Sequence, residues 1–83
     1  MGDYNFNKRQ CVFALKKLGF YLDNDRAGSH DKYAFPKNYL IPAGHRPFIM
    51  IPRHNELKVQ HQIVKELRAV GGDDLVRKFM ELL

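Results

Sequence analysis

The chain has 83 residues, of which 45% are hydrophobic and 28% charged, values typical of one small folded domain and not of a disordered chain. Lysine and arginine outnumber aspartate and glutamate by 14 to 9, which gives a formal net charge of +5 and favours a polyanionic partner. No apolar run approaches the roughly 20 residues of a membrane span, and the single Cys11 cannot form an intrachain disulfide, so we expect a cytoplasmic protein with no membrane partner.

The first predicted element is an amphipathic helix over residues 7–18. Lysine and arginine occupy its polar turns, and the apolar residues at helical spacing are Cys11, Val12, Leu15 and Leu18. Either Asn5 or Asn7 is suited to cap its start, and Gly19 stands where a left-handed residue commonly ends a helix.

Three strands are expected after this helix, the first two joined by a polar turn. They cover residues 20–22, 29–35 and 48–51. The connection from Pro36 to Pro47 contains three prolines and is predicted to be a long loop, and Pro52 ends the third strand.

The second strand is predicted to have one core face and one accessible face, because strand side chains alternate. Tyr33 and Phe35 fall on the same side, and we expect this aromatic side to face the core. His30, Lys32 and Ala34 then share the accessible side.

Residues 57–70 return to helical spacing, with Asn55 as the expected cap. Gly71 and Gly72 are expected to stop this helix, and a short final helix is predicted over residues 73–83. The order predicts a single α+β domain over residues 1–83. Its layout is α-β-β-β-α with an additional C-terminal helix, and its three-stranded antiparallel sheet packs on the helices.

The triplet Gly28, Ser29 and His30, at the entrance to the second strand, is the candidate catalytic motif. RNA can be cut without a metal when a base removes the proton from its own 2′-hydroxyl, and histidine, with an ordinary pKa of about 6.5, suits that task. His30 is therefore the candidate catalytic residue. The alternative is that Gly-Ser is ordinary turn chemistry followed by an exposed histidine.

Such a reaction also needs fixed positive charge to stabilise the phosphorane that develops at phosphorus. The candidates are Lys32, Arg26, Arg46 and Arg53. The position of each depends on the fold, so the sequence leaves the choice among them open.

The order and spacing of several short motifs resemble the HicA family of bacterial toxins over roughly residues 8–72. A basic first helix is followed by Leu18-Gly19-Phe20, Gly28-Ser29-His30, Tyr33, Ile51-Pro52-Arg53-His54, Glu56-Leu57 and Ile63-Val64-Lys65-Glu66-Leu67. Each motif is unspecific by itself, and the resemblance depends on their sequence order.

This resemblance implies a fold like the double-stranded-RNA-binding domain and an endoribonuclease that cuts messenger RNA. It implies one catalytic histidine, His30, in a Gly-Ser-His motif that falls on Gly28 and Ser29, with no metal or other cofactor. It also implies a HicB-type antitoxin as protein partner. The loop at 36–47 and the last helix are longer than the family pattern and put substrate access or antitoxin docking in doubt.

Further basic residues are candidates for RNA contact. His54 can act as a second acid or a phosphate contact, or it can be a polar residue at a helix entry. Lys16 and Lys17 on the first helix can follow an RNA backbone together with Lys8 and Arg9, can meet an acidic antitoxin, or can form an ordinary solvated face.

Two other functions are compatible with the sequence. One is a non-catalytic RNA-binding module with the same fold and basic surface. The other is a degenerate toxin-like protein that only occupies an antitoxin. Four histidines and one cysteine without paired short spacing argue against a zinc site.

Overall fold

The computed structural model of the chain describes residues 4–23, 30–53 and 57–83. The elements follow in the order α1 (Lys8–Lys17), β1 (Tyr21–Leu22), β2 (His30–Ala34), β3 (Phe48–Pro52) and α2 (Gln60–Glu81). The predicted α+β class, the three strands and the flanking helices are confirmed. No helix within these three ranges is both long and apolar enough to cross a membrane.

Helix α1 begins at a capping box, because the Asn7 side chain accepts from the Gln10 backbone N–H at 2.8 Å. The Gln10 side chain returns a bond by accepting from the Asn7 N–H at 2.9 Å. The helix ends as predicted at Gly19, whose φ of 100° is accessible mainly to glycine. Of the two candidate caps, the structure therefore selects Asn7.

The sheet is antiparallel with the strand order β1-β2-β3. In the β2–β3 register His30 lies opposite Pro52, Lys32 opposite Met50 and Tyr33 opposite Ile49. One face of the sheet packs into the core. The other is the open face and contains His30 and Lys32, as the alternation predicted.

Both helices pack against the same face of the sheet, and the first turns of α2 also border the edge strand β3. Residues from α1, from the strands and from α2 form one buried cluster, which includes Cys11, Leu15, Tyr33, Ile49, Ile51, Ile63, Leu67 and Phe79. Burial of these side chains is the main stabilising contribution in a domain of this size. The arrangement leaves the opposite sheet face available to a ligand.

Ala34 is a correction to the predicted accessible face, because only 7% of it is exposed. It lies at the end of β2 opposite Tyr21 and Phe48 in the two registers. Ala34 lines a surface depression together with residues of the 36–47 connection, including Tyr39 and Pro47. The connection therefore covers this end of the open face.

Helix α2 differs from the prediction at its start and agrees with it at its middle. It begins at Gln60 and not at Leu57, which packs into the core before the helix. The predicted break is present at Gly72, whose φ of 71° and ψ of −170° bend the element, so the expected final helix is its second segment. Arg68 donates to Asp73 at 2.8 Å across this bend. Asn55, the expected cap, lies outside the described residues.

Candidate functional site

His30 is the first residue of β2 and its side chain is exposed on the open face. It forms one wall of a groove of about 290 Å³ between this face and the first turns of α2, which we call the His30 groove. The apolar residues of the groove are Met50, Pro52, Val59 and Ile63, and its polar residues are Arg46, Gln62 and Glu66. The candidate base thus lies beside a cavity and not on a flat surface.

Two cations meet on the aromatic ring of Phe48, the first residue of β3. The Lys32 Nζ is 5.1 Å from the ring centroid and the Arg46 guanidinium carbon is 5.6 Å from it. Both distances are within the roughly 6 Å of a cation–π contact. Strand β2 and the 36–47 connection therefore bring two positive charges to the open face on which His30 lies.

Arg46 is held in place by contacts on two further sides. One guanidinium nitrogen, Nη2, donates to the Glu66 Oε2 at 2.7 Å, and the other, Nη1, lies 3.0 Å from the Met50 sulfur. The Gln62 side chain donates to the same Glu66 oxygen at 2.9 Å. A partly exposed ion pair of this kind contributes little to stability, and its main effect is to orient the arginine.

Arg53 is the remaining described candidate for the positive charge. Its side chain does not join Lys32 and Arg46. Its Nε donates to the Asp31 carboxylate at 2.9 Å, and its backbone carbonyl accepts from the Lys8 ammonium at 2.7 Å. Asp31 alternates with His30 along β2 and faces the side where α1 packs. The structure therefore separates Arg53 from His30 by the thickness of the sheet.

Lys16 and Lys17 are also distant from the His30 groove. They are exposed in the last turn of α1, which packs on the core face of the sheet. The Lys17 ammonium lies 5.5 Å from the ring of Phe13, an exposed aromatic residue of the same helix. These lysines belong to a second basic surface.

Several predicted site residues lie outside the described residues. They are Gly28, Ser29 and His54, together with the candidate cation Arg26. Their proposed roles remain predictions. Of the motif Gly-Ser-His, only His30 has a described position.

The residues of the site that were not identified from the sequence as site residues include Phe48, Met50, Gln62 and Glu66. Phe48 and Met50 were expected only as strand residues, although the period of two would have put them on one face. Gln62 and Glu66 are four apart on α2, and this spacing was a usable signal, because it sets them on one flank of the helix. The sequence alone did not indicate which element this flank of α2 contacts.

Two buried or partly buried acids do not contribute to this site. Burial raises the pKa of the Cys11 thiol to about 12, so this cysteine is inert near neutral pH. Burial, followed by the negative charge of Asp31, raises the pKa of Tyr33. Among the described histidine, cysteine, aspartate and glutamate side chains, no three cluster as metal ligands would.

Fold and site together define a small α+β protein with a partly apolar groove, flanked by one histidine and two cations, on its open sheet face. No family model, curated protein or solved structure matches the chain. The chemistry of the groove and the motifs of the sequence are therefore what indicates a function.

Proposed function

We propose that the protein is a metal-independent endoribonuclease of the HicA type, the toxin of a toxin–antitoxin pair that cuts messenger RNA. The observation that carries the proposal is the exposed His30 on the wall of a groove, with Lys32 and Arg46 on the same sheet face. The motif resemblance supports it from the sequence. The HicB-type antitoxin, the cytoplasmic location and the likeness to the double-stranded-RNA-binding domain belong to the same proposal.

In the proposed reaction His30 acts as the general base. Its imidazole takes the proton of a ribose 2′-hydroxyl, and the 2′-oxygen forms a bond to the adjacent phosphorus. The bond from phosphorus to the 5′-oxygen then breaks, and that oxygen takes a proton from water or from the imidazolium. The products are a 2′,3′-cyclic phosphate and a 5′-hydroxyl.

We assign stabilisation of the charge on the phosphorane to Lys32 on the open face. It lies two residues from His30 on the same strand face, and its ammonium is ordered over the Phe48 ring. A fixed cation needs no reorganisation when charge develops, which is why such groups lower the barrier. Arg46 adds positive potential at the rim of the groove.

The test compares His30→Ala with His61→Ala, a matched control on α2 whose ring contacts Tyr4. Removal of a general base is expected to lower the cleavage rate of a model RNA by roughly 100- to 10,000-fold, with little change for the control. Growth arrest on expression is expected to disappear only with His30→Ala. Wild-type cleavage by this variant would assign the chemistry to another residue.

A second arm of the test addresses the metal. We expect cleavage to continue in excess EDTA and to yield a 2′,3′-cyclic phosphate end. Loss of cleavage with EDTA and recovery with Mg²⁺ would contradict the proposed mechanism.

A non-catalytic RNA-binding module is the second candidate function, and one observation favours it. The outer side of α1 presents Arg9, Lys16, Lys17 and the exposed ring of Phe13, all away from His30. Such a surface can bind RNA without the groove. In that case RNA stays intact on long incubation, and binding is unaffected by His30→Ala.

A further inference from the structure

The floor of the His30 groove is apolar and of a size that suits a small planar ligand. Met50 and Pro52 project from β3, and Ile63 closes the groove from α2. The volume of about 290 Å³ lies just below the range for small-molecule sites, which starts at roughly 300 Å³. A proline ring and a methionine thioether are favourable contacts for the face of an aromatic ring.

The rim of the groove presents a donor beside an acceptor. Arg46 supplies guanidinium N–H groups, and Glu66 supplies a carboxylate. Arg46 and Gln62 both donate to Oε2, so among the described residues Oε1 is left to accept from a ligand. Apolar floor and polar rim together fit a ligand that is flat and carries donors and acceptors on its edge.

We infer that the His30 groove binds a guanine base of the RNA, an inference that rests on the proposed ribonuclease function and names the nucleotide it selects. Guanine carries two neighbouring donors, N1–H and the N2 amine, beside the acceptor O6. Glu66 Oε1 can accept from these two donors while the Arg46 guanidinium donates to O6. Adenine offers this pair of groups one donor, the N6 amine, beside the acceptor N1, and therefore fewer charge-assisted bonds.

Glu66 is the residue that determines specificity in this arrangement. The Arg46–Glu66 pair keeps the carboxylate at the rim, and Gln62 fixes it from the adjacent turn of α2. Because His30 belongs to the same groove, a base bound there brings its own ribose and phosphate to the imidazole. Base recognition and cleavage then occur on one nucleotide.

The experiment titrates the wild-type protein with guanosine, inosine and adenosine 5′-monophosphates and follows the Met50 methyl and Gln62 side-chain amide signals by NMR. All three ligands share ribose and phosphate, so differences among them report on the base. We expect the guanine nucleotide to bind at least on the order of 10-fold more tightly than the adenine nucleotide. Inosine, which lacks the N2 amine, is expected to fall between them.

Glu66→Gln is expected to remove the preference for guanine and to lower its affinity by a similar factor. Glu81→Gln, the same change at the end of α2 beside Arg77, is the matched control and is expected to keep the preference. Circular dichroism checks that both variants are folded. Equal affinities for the three nucleotides, or no shift of the groove signals up to about 10 mM ligand, would overturn the inference.

The titration needs no cleavage, so it distinguishes this inference from the proposed function. If the protein cleaves RNA but its groove signals do not shift with guanosine 5′-monophosphate, the ribonuclease function stands and the guanine site is rejected. If the protein binds guanine selectively but leaves RNA intact, the guanine site stands and the ribonuclease function is rejected.

Discussion

Lys32 and its partner ring illustrate how single side chains define the open face. The Lys32 ammonium and the Arg46 guanidinium both lie against Phe48. Hydration normally keeps an exposed lysine mobile, and a cation–π contact restricts it. The charge of Lys32 is therefore held on the same sheet face as His30, where an RNA phosphate is proposed to bind.

We predict that Lys32→Gln weakens the binding of a single-stranded RNA that has been made non-cleavable by 2′-O-methylation. Each lost phosphate contact lowers the slope of log affinity against log salt by roughly 0.7 to 1. Fluorescence anisotropy at several salt concentrations measures both quantities. Lys37→Gln, the same change at an exposed position of the 36–47 connection, is the control and should leave the slope unchanged. Identical slopes for the two variants would remove Lys32 from the RNA contact.

The residues that share a strand face could be predicted from the sequence, and those that come together across elements could not. His30 and Lys32 followed from the period of two. Arg46 and Arg53 were equivalent candidates, and only the path of the chain after each strand separated them. Arg46 reaches the open face through its bonds to Glu66 and Met50, whereas Arg53 bonds to Asp31 beside α1.

Among the elements, α1 has the most complete set of local signals. Its capping box satisfies backbone N–H groups that would otherwise lack a partner, and Gly19 ends it. Sequence spacing alone left Asn5 and Asn7 as equal candidates for the cap. The structure distinguishes them, because only Asn7 directly precedes the first helical turn and forms both bonds with Gln10.

We predict that Asn7→Ala lowers the free energy of unfolding by about 1 kcal/mol, the usual effect of losing a side-chain cap. Asn5→Ala provides a matched control two residues earlier, and its effect should stay within about 0.5 kcal/mol. Urea denaturation of both variants gives the comparison. A larger loss for Asn5→Ala than for Asn7→Ala would contradict the assigned cap.

Helix α2 shows where element boundaries depend on more than local signals. Leu57 has the helical spacing of the residues after it, yet it packs into the core before the helix starts. The Gln60 side chain donates to the carbonyls of Leu57 and Phe6, which connects this entry to the N-terminal segment. The bond to Phe6 joins residues 54 apart in the chain, so the start at Gln60 involves more than local sequence. The break at Gly72, by contrast, was encoded locally.

For the molecule as a whole, one small core carries the stability, and Cys11 lies fully buried inside it. The unfolded thiol ionises at its ordinary value of 9.0, whereas burial keeps the folded thiol protonated to about pH 12. The folded state therefore retains a proton that the unfolded state loses. This difference leaves stability unchanged below about pH 9 and decreases it as the pH rises from about 9 towards 12.

We predict that the free energy of unfolding of the wild type falls more steeply above pH 9 than that of Cys11→Ala. The thiol contributes a slope of up to about 1.4 kcal/mol per pH unit, which the variant lacks. Urea denaturation from about pH 8 to about pH 11 measures the two slopes, and other titrating groups contribute to both. The variant loses stability at every pH through its smaller side chain, so the slopes are compared and not the absolute values. Parallel slopes would show that the thiol ionises equally in both states.

The sequence by itself determined the element order, the stop signal of α1, the bend at Gly72 and the face of β2 that carries His30. These features follow from local backbone preferences and from periods of two and 3.6 residues, which act over a few neighbouring positions. The tertiary structure alone decided that Arg46 and Glu66 meet beside His30, that Arg53 lies on the other face, and that Ala34 is covered. Such contacts join residues far apart in the chain, and they depend on how the helices and the 36–47 connection pack against the sheet.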